Sequence, residues 1–271
     1  MLGPLLGGND GPAVERINPL GSAPLVLVCE HASNRLPERL GTLGLTRDVL
    51  EDHIAWDIGA APLAEHLANL IDAQAVLQRF SRLAYNCNRA PDSEDAIPCQ
   101  YGSRRIPGNQ SLEDNAIRAR YDALYLPFHE AVEAGLNTVG RRCPLALLIS
   151  IQTFDPESYG AEPFDIGVYA GQDDRLAQSL ITAIEHDKSY SVQNDWPFEP
   201  SATVTHTLTK HGVRKNVVGA MVAINNRLVW DTVRQERMAR YLAAVLRSVI
   251  EGGISARPDD PPEQVLASEL L

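Results

Sequence analysis

The chain has 271 residues and a formal net charge of −11 at pH 7, a length that suits one large α/β domain or two small ones. The negative balance argues against a nucleic-acid partner, which calls for a basic stripe, and no apolar run approaches the length that spans a bilayer. The cysteines Cys29, Cys87, Cys99 and Cys143 show no C-x-x-C spacing and the N-terminus has no cationic lead, so a reduced, cytoplasmic protein is the expectation.

In chain order, residues 1–22 are rich in Gly and Pro and read as a loose lead-in. Leu25 to Cys29 is an apolar run that ends in Glu30-His31 and small polar residues. Such a run reads as a buried strand, and the carboxyl end of a strand is where α/β sheets bind ligands. Asn34 to Leu43 reads as a loop, and Thr46 as the cap of a helix carrying Val49, Leu50, His53 and Ile54. Asp57 to Leu70 has helical spacing; on a continuous helix His53 and Asp57 share a face. Ala75 to Phe80 reads as a second strand, Leu83 to Asn88 as an extended segment, and Pro91 to Gln110 as a long polar loop of the kind that carries function.

Glu113 to Leu136 reads as a long helix with Tyr121, Leu124, Tyr125 and Phe128 inward, which Pro127 either kinks or breaks into two helices. Leu145 to Ile151 is the most apolar run and the candidate central strand; Ile166 to Tyr169 and Val217 to Ile224 are further strands. Asp173 to Glu185 and Trp230 to Ile250 read as helices, residues 189–203 as irregular, and 252–271 as a mobile, Pro- and acid-rich tail. Strands alternating with helices predict a three-layer α/β fold, a central mixed sheet covered on both faces.

Five segments, taken together and in order, carry a resemblance. They are Cys29-Glu30-His31-Ala32-Ser33-Asn34, the run from His53 to Ala60, Ser81-Arg82-Leu83 through Asn88-Arg89, Ile106-Pro107-Gly108-Asn109, and Tyr125 to His129. From about Leu25 to Trp230 the chain resembles the N-formylglutamate amidohydrolase family. The resemblance implies one domain over 23–251 on a phosphorylase/hydrolase-like, zinc-carboxypeptidase-like fold. It also implies a zinc-dependent hydrolase of an N-acylated acidic amino acid, with N-formyl-L-glutamate split into formate and glutamate.

A catalytic zinc takes about three protein ligands and an open position, a carboxylate carries the proton, and an arginine holds the substrate carboxylate. On that pattern His31, Asp57 and the position of Gln152 are the expected metal site. Asp57 reads equally well as a helix-start acid, and Glu30 either as a ligand or as a residue orienting His31. Glu30 and His53 are the candidates for proton transfer, with His53 also readable as a plain helix residue. Asn88 and Arg89 are expected on the substrate carboxylate, with Arg82 as a second cation. Gly108 and Asn109 form an expected pocket turn, and His211 either lines the pocket or ends a helix before Gly212. His129, beside aromatics, reads as a core histidine.

Two departures from the family pattern matter more than the matches. Gln152 stands where the family has its third ligand histidine, and an amide is a poor zinc ligand. On the last strand Ala223 stands where the family has its general-base glutamate, and Asn225 where it has arginine; Asn86 replaces a preferred Asp. Two functions follow as expectations. One is a hydrolase of reduced or redirected activity on a small acidic N-acyl amino acid. The other is an inactive homologue that binds an acidic metabolite without turnover. The sequence leaves the oligomeric state open.

Overall fold

The computed structural model describes residues 4–159, 164–195, 205–214 and 216–254. Seven strands form one sheet in the order β1-β3-β2-β6-β9-β7-β8. They are β1 (Val14–Ile17), β2 (Leu25–Cys29), β3 (Gln74–Gln78), β6 (Ala146–Phe154), β7 (Ile166–Ala170), β8 (Val192–Asn194) and β9 (Val217–Asn225); β4 (Gln100–Tyr101) and β5 (Arg104–Arg105) pair as a separate hairpin. β3, β2, β6 and β9 run parallel, while β1 and β7 pair antiparallel with β3 and β9. The sheet is mixed, as the alternation of strands and helices predicts.

Side chains alternate along the buried strands and so divide the core in two. Leu25, Leu27, Ile149 and Ile151 face one layer, formed by α2 (Ala60–Ile71), α5 (Arg175–Asp187) and α7 (Thr232–Gly252). Val26, Val28 and Leu148 face the other, where α4 (Leu126–Gly140) and α6 (His206–Gly212) pack. β6 is buried along its whole length at the middle of the sheet, where its apolar run placed it. The parallel strands put the ends of β2, β3, β6 and β9 on one edge, and the loops leaving that edge build the site.

Several expectations change. The lead-in over 1–22 contains an edge strand, β1, and Leu5 and Ala13 are buried. Glu15 and Arg16 are exposed there, so the strand lacks an apolar run to reveal it. The helix expected from Thr46 is short (α1, Arg47–Glu51), and α2 begins at Ala60 rather than at Asp57. Gly59 makes that start: it holds φ +85, and a Cβ there would lie 2.3 Å from the Val229 carbonyl oxygen. His53 and Asp57 therefore do not share a continuous helix.

Residues 83–88 form turns, not an extended segment, and the 91–110 loop contains the β4–β5 hairpin. The long helix is divided into α3 (Asp114–Arg120), a π-helical turn at Tyr121–Tyr125, and α4. The turn is closed by Leu126 N–H on the Tyr121 carbonyl. It directly precedes Pro127, which has no N–H to continue the α-helical ladder. Residues 189–195 include β8; 196–204, and the tail from 255 onward, lie outside the described residues.

Candidate functional site

At the end of β2, Glu30 and His31 turn inward and are buried. His31 Nε2 lies 2.8 Å from Asn86 Oδ1, and the Asn88 N–H also donates to that atom at 3.0 Å. A backbone N–H only donates, so the Asn86 atom is oxygen and His31 Nε2 carries the hydrogen. Nδ1 faces Asp57 Oδ2 at 3.4 Å, without a directed hydrogen bond. Neither ring nitrogen offers a lone pair to the pocket.

Asp57 is the hub behind His31. Its Oδ1 accepts from Arg82 Nη2, its Oδ2 accepts from the Thr153 N–H at 3.2 Å, and its N–H donates to the His31 carbonyl at 2.9 Å. Burial alone would raise its carboxyl, but Arg82, then His31 and His53, hold it well below the ordinary carboxylate range. His53 Nε2 stands 3.9 Å from Asp57 Oδ1. Burial lowers His53 to about 4, against the pull of Asp57, and the ring lies behind Asp57 rather than on the pocket wall.

Glu30 differs. Its Oε2 accepts from Ser150 Oγ at 2.8 Å, and Gln152 Nε2 donates to the same hydroxyl at 3.4 Å. Its Oε1 is buried with no partner among the described residues. The parallel register of β6 and β9 sets Gln152 directly beside Ala223. The two departures from the family pattern are therefore neighbours on one patch. Asn225, two residues on, has a structural use: its amide donates to the Phe164 carbonyl and its oxygen accepts from the Arg227 N–H.

A cavity of about 430 Å³ opens at this edge, within the usual range for small-molecule sites. Its polar wall is His31, Arg82, Asn86, Asn88, Arg89 and Gln152. Asp95 and the hairpin residues Gln100, Tyr101 and Gly102 complete the mouth. A larger groove of about 650 Å³ between α5 and α7 lies on the helical layer, away from the strand ends. The structure thus brings together His31, Arg82, Asn88, Arg89 and Gln152 around one cavity, with Glu30 and Asp57 buried behind them.

Other expected site residues lie elsewhere. Asn109 is buried in a knot: its amide donates to the Leu83 and Pro98 carbonyls, and its oxygen accepts from Arg120 Nη1 at 2.7 Å. Arg120 is itself buried, which lowers it to about 10. Gly108 is needed for a close approach, since a Cβ there would come within 2.8 Å of Leu43 Cα. Neither residue lines this cavity; Asn109 borders a separate one of about 560 Å³ beneath the 91–112 segment.

His211 belongs to a buried cluster behind the Asn86–Arg89 turn. His129 Nε2 donates to the Cys87 carbonyl at 2.9 Å, so its Nδ1 accepts from His211 Nε2 at 3.0 Å. His206 Nε2 pairs with Tyr125 Oη at 2.8 Å, and the Thr207 N–H donates to Asn88 Oδ1 at 2.9 Å. Burial is the main cause that lowers His129 well below its usual value, His206 to about 4 and His211 to about 3. The cluster braces the turn that presents Asn88 and Arg89. Sequence reading noted Asn86 only as a departure from the family pattern and missed Ser150 and Tyr101 as site residues. Asn86, two before Asn88, carries the local signal of a side chain accepting from the N–H two residues on.

The residues present do not fit a zinc centre. Among the described residues no three His, Cys, Asp or Glu side chains converge as metal ligands. His31 has both nitrogens turned to protein oxygens, Asp57 has both oxygens taken, and an amide and a methyl stand at positions 152 and 223.

Fold and site together define an α/β protein with a polar-lined pocket at the carboxyl edge of its parallel strands. The family model described as N-formylglutamate amidohydrolase matches residues 23–230. The chain is similar to gene product Atu2144 from Agrobacterium tumefaciens, at 34% identity over 92% of this chain and 98% of that one, with a TM-score of 0.87. It shares its fold with an N-formylglutamate amidohydrolase from Ralstonia eutropha JMP134, at 16% identity over 88% and 99% of the two chains, TM-score 0.61. No curated protein matches it significantly. The chain belongs to the N-formylglutamate amidohydrolase family, a membership that implies amide hydrolysis as the ancestral chemistry. No helix among the described residues is long and apolar enough to cross a membrane.

Proposed function

We propose that the pocket binds a small N-acylated acidic amino acid through Arg89, Asn88 and Arg82, and that hydrolysis of its amide by the family's metal-dependent route is lost. The observation that carries this reading is the pairing of Gln152 with Ala223 in register. Ligand and base positions of the family pattern are both neutral there, while the carboxylate-binding side keeps its arginines at the pocket wall. Arg82 also balances Asp57, and Arg89 Nε faces the exposed Asp95 carboxylate at 3.9 Å, so a ligand carboxylate would share both cations with protein acids. Titration calorimetry with N-formyl-L-glutamate, run beside an assay for released formate, tests this. Binding without release of formate is expected, and Arg89→Ala should weaken it about tenfold to a hundredfold, the value of a charge-assisted hydrogen bond. Steady release of formate would overturn the loss of hydrolysis.

One observation favours a second reading, hydrolysis with Glu30 as the proton carrier. Its Oε1 is buried without a partner, next to Ser150 and Gln152. In that reading water adds to the amide carbonyl while Glu30 takes its proton. The C–N bond then breaks and Glu30 returns the proton to the leaving nitrogen. Formate release abolished by Glu30→Gln, with binding retained, would establish it over the first.

A further inference from the structure

Apolar side chains also line the pocket. Ile54 and Pro98 line it, with Leu83 beside Arg82 and Tyr101 at the mouth. Ile54 and Leu83 belong to a small hydrophobic cluster with Leu43, Val49, Ala55 and Ile106, separate from the two main cores. That packing fixes Ile54 and Leu83 where they border the pocket. Tyr101 is 39% exposed on the hairpin, an aromatic body with a polar tip of the kind that covers ligands at a pocket mouth.

Size points the same way. A cavity of about 430 Å³ has the volume of roughly fourteen waters at about 30 Å³ each. N-formylglutamate has roughly a dozen non-hydrogen atoms, which, being covalently bonded, each take only a little over half of a water's share, so it fills about half of such a space, whereas well-matched sites bury most of the ligand surface. A formyl group also has too little apolar surface to use a wall of Ile54, Pro98 and Tyr101.

We infer that the ligand carries an apolar acyl group of about six carbons, seated against Ile54, Pro98 and Tyr101, while its carboxylate meets Arg89. The inference rests on the pocket reading above and specifies its acyl end. Each methylene moved from water to that wall strengthens binding about fourfold when fully buried. Even partial burial of a hexanoyl chain should therefore gain at least about tenfold over formyl.

The test is titration calorimetry of the full chain with N-formyl-, N-acetyl-, N-hexanoyl- and N-benzoyl-L-glutamate, repeated on Tyr101→Ala. Tyr101 lies on an exposed hairpin, so this variant keeps its fold. Affinity should climb by about tenfold or more from formyl to hexanoyl, and Tyr101→Ala should reduce that hexanoyl-to-formyl ratio. If N-formylglutamate binds and the hexanoyl compound binds no better, the acyl inference is overturned and the pocket reading stands. If none of the four binds, the pocket reading falls and takes the inference with it. An unchanged ratio in Tyr101→Ala would overturn the placement of the acyl chain.

Discussion

Asp57 and Glu30 are both fully buried at the same edge of the sheet, yet their surroundings differ. Asp57 has both oxygens engaged, by Arg82 and by the Thr153 N–H, with His31 and His53 facing it. Glu30 has one oxygen on the Ser150 hydroxyl and the other without a partner among the described residues. A saturated carboxylate is a structural knot: it joins the 53–59 segment, the Arg82 turn and the end of β6. A half-satisfied carboxylate carries an uncompensated desolvation cost, and such groups persist where a proton or a ligand makes use of them. The lesson is that the residue expected to hold metal holds the fold, and the spare chemical capacity lies next to it.

A matched pair of isosteric substitutions breaks or sharpens this contrast. Asp57→Asn removes the negative charge and leaves Arg82, partly buried at the pocket wall, without its counter-ion. Removing one partner of a buried pair costs about 3–5 kcal/mol, and chemical denaturation should record a loss near the lower end of that range. A loss below about 1 kcal/mol would mean that the pair behaves as an exposed one and that Asp57 is no hub.

Glu30→Gln should act in the opposite sense. The amide oxygen still accepts from Ser150, and a buried charge without an ion partner disappears. Stability should stay within about 1 kcal/mol of the parent chain or rise. A fall comparable to that of Asp57→Asn would show that Glu30 is held by interactions equal to those of Asp57, and the contrast between them would collapse.

What the sequence made legible follows from how each signal is stored. β2, β6 and β9 are apolar runs, and their pairing sets the edge at which His31, Gln152 and Ala223 meet. The Asn88-Arg89 pair reached the pocket because its turn leaves β3 at that same edge. The partners of Asp57 were not legible: Arg82 is 25 residues away and Thr153 is 96 away, and no local pattern links them. β1 was hidden because an edge strand with exposed Glu15 and Arg16 shows no apolar run. Asn109 was expected at the pocket from the resemblance of Ile106 to Asn109; its tie to the buried Arg120, from a helix further along, has no local pattern in the sequence.

The histidine cluster gives the most gradual effect, and it differs from the Asp57 hub in pH window while sharing its sign. Burial, the leading cause, lowers His129 well below its usual value, His206 to about 4 and His211 to about 3, while the same side chains in the unfolded chain titrate near 6.5. Between about pH 6.5 and 4 the unfolded chain therefore binds more protons than the folded one, and stability falls as the pH falls. Their contribution is complete above the unfolded value and is lost on acidification. Asp57, held well below the usual carboxylate range, stays ionised in the fold through this window, so its contribution is lost only at lower pH. Denaturation curves at pH 7, 6, 5 and 4.5 should show a steady decline, and His206→Gln, which can keep a polar partner for Tyr125 Oη, should flatten it. A stability that holds level from pH 7 to 4.5, or a slope that His206→Gln leaves untouched, would mean that the cluster does not stay neutral in the fold. It would then not brace the Asn86–Arg89 turn in the way its hydrogen bonds indicate.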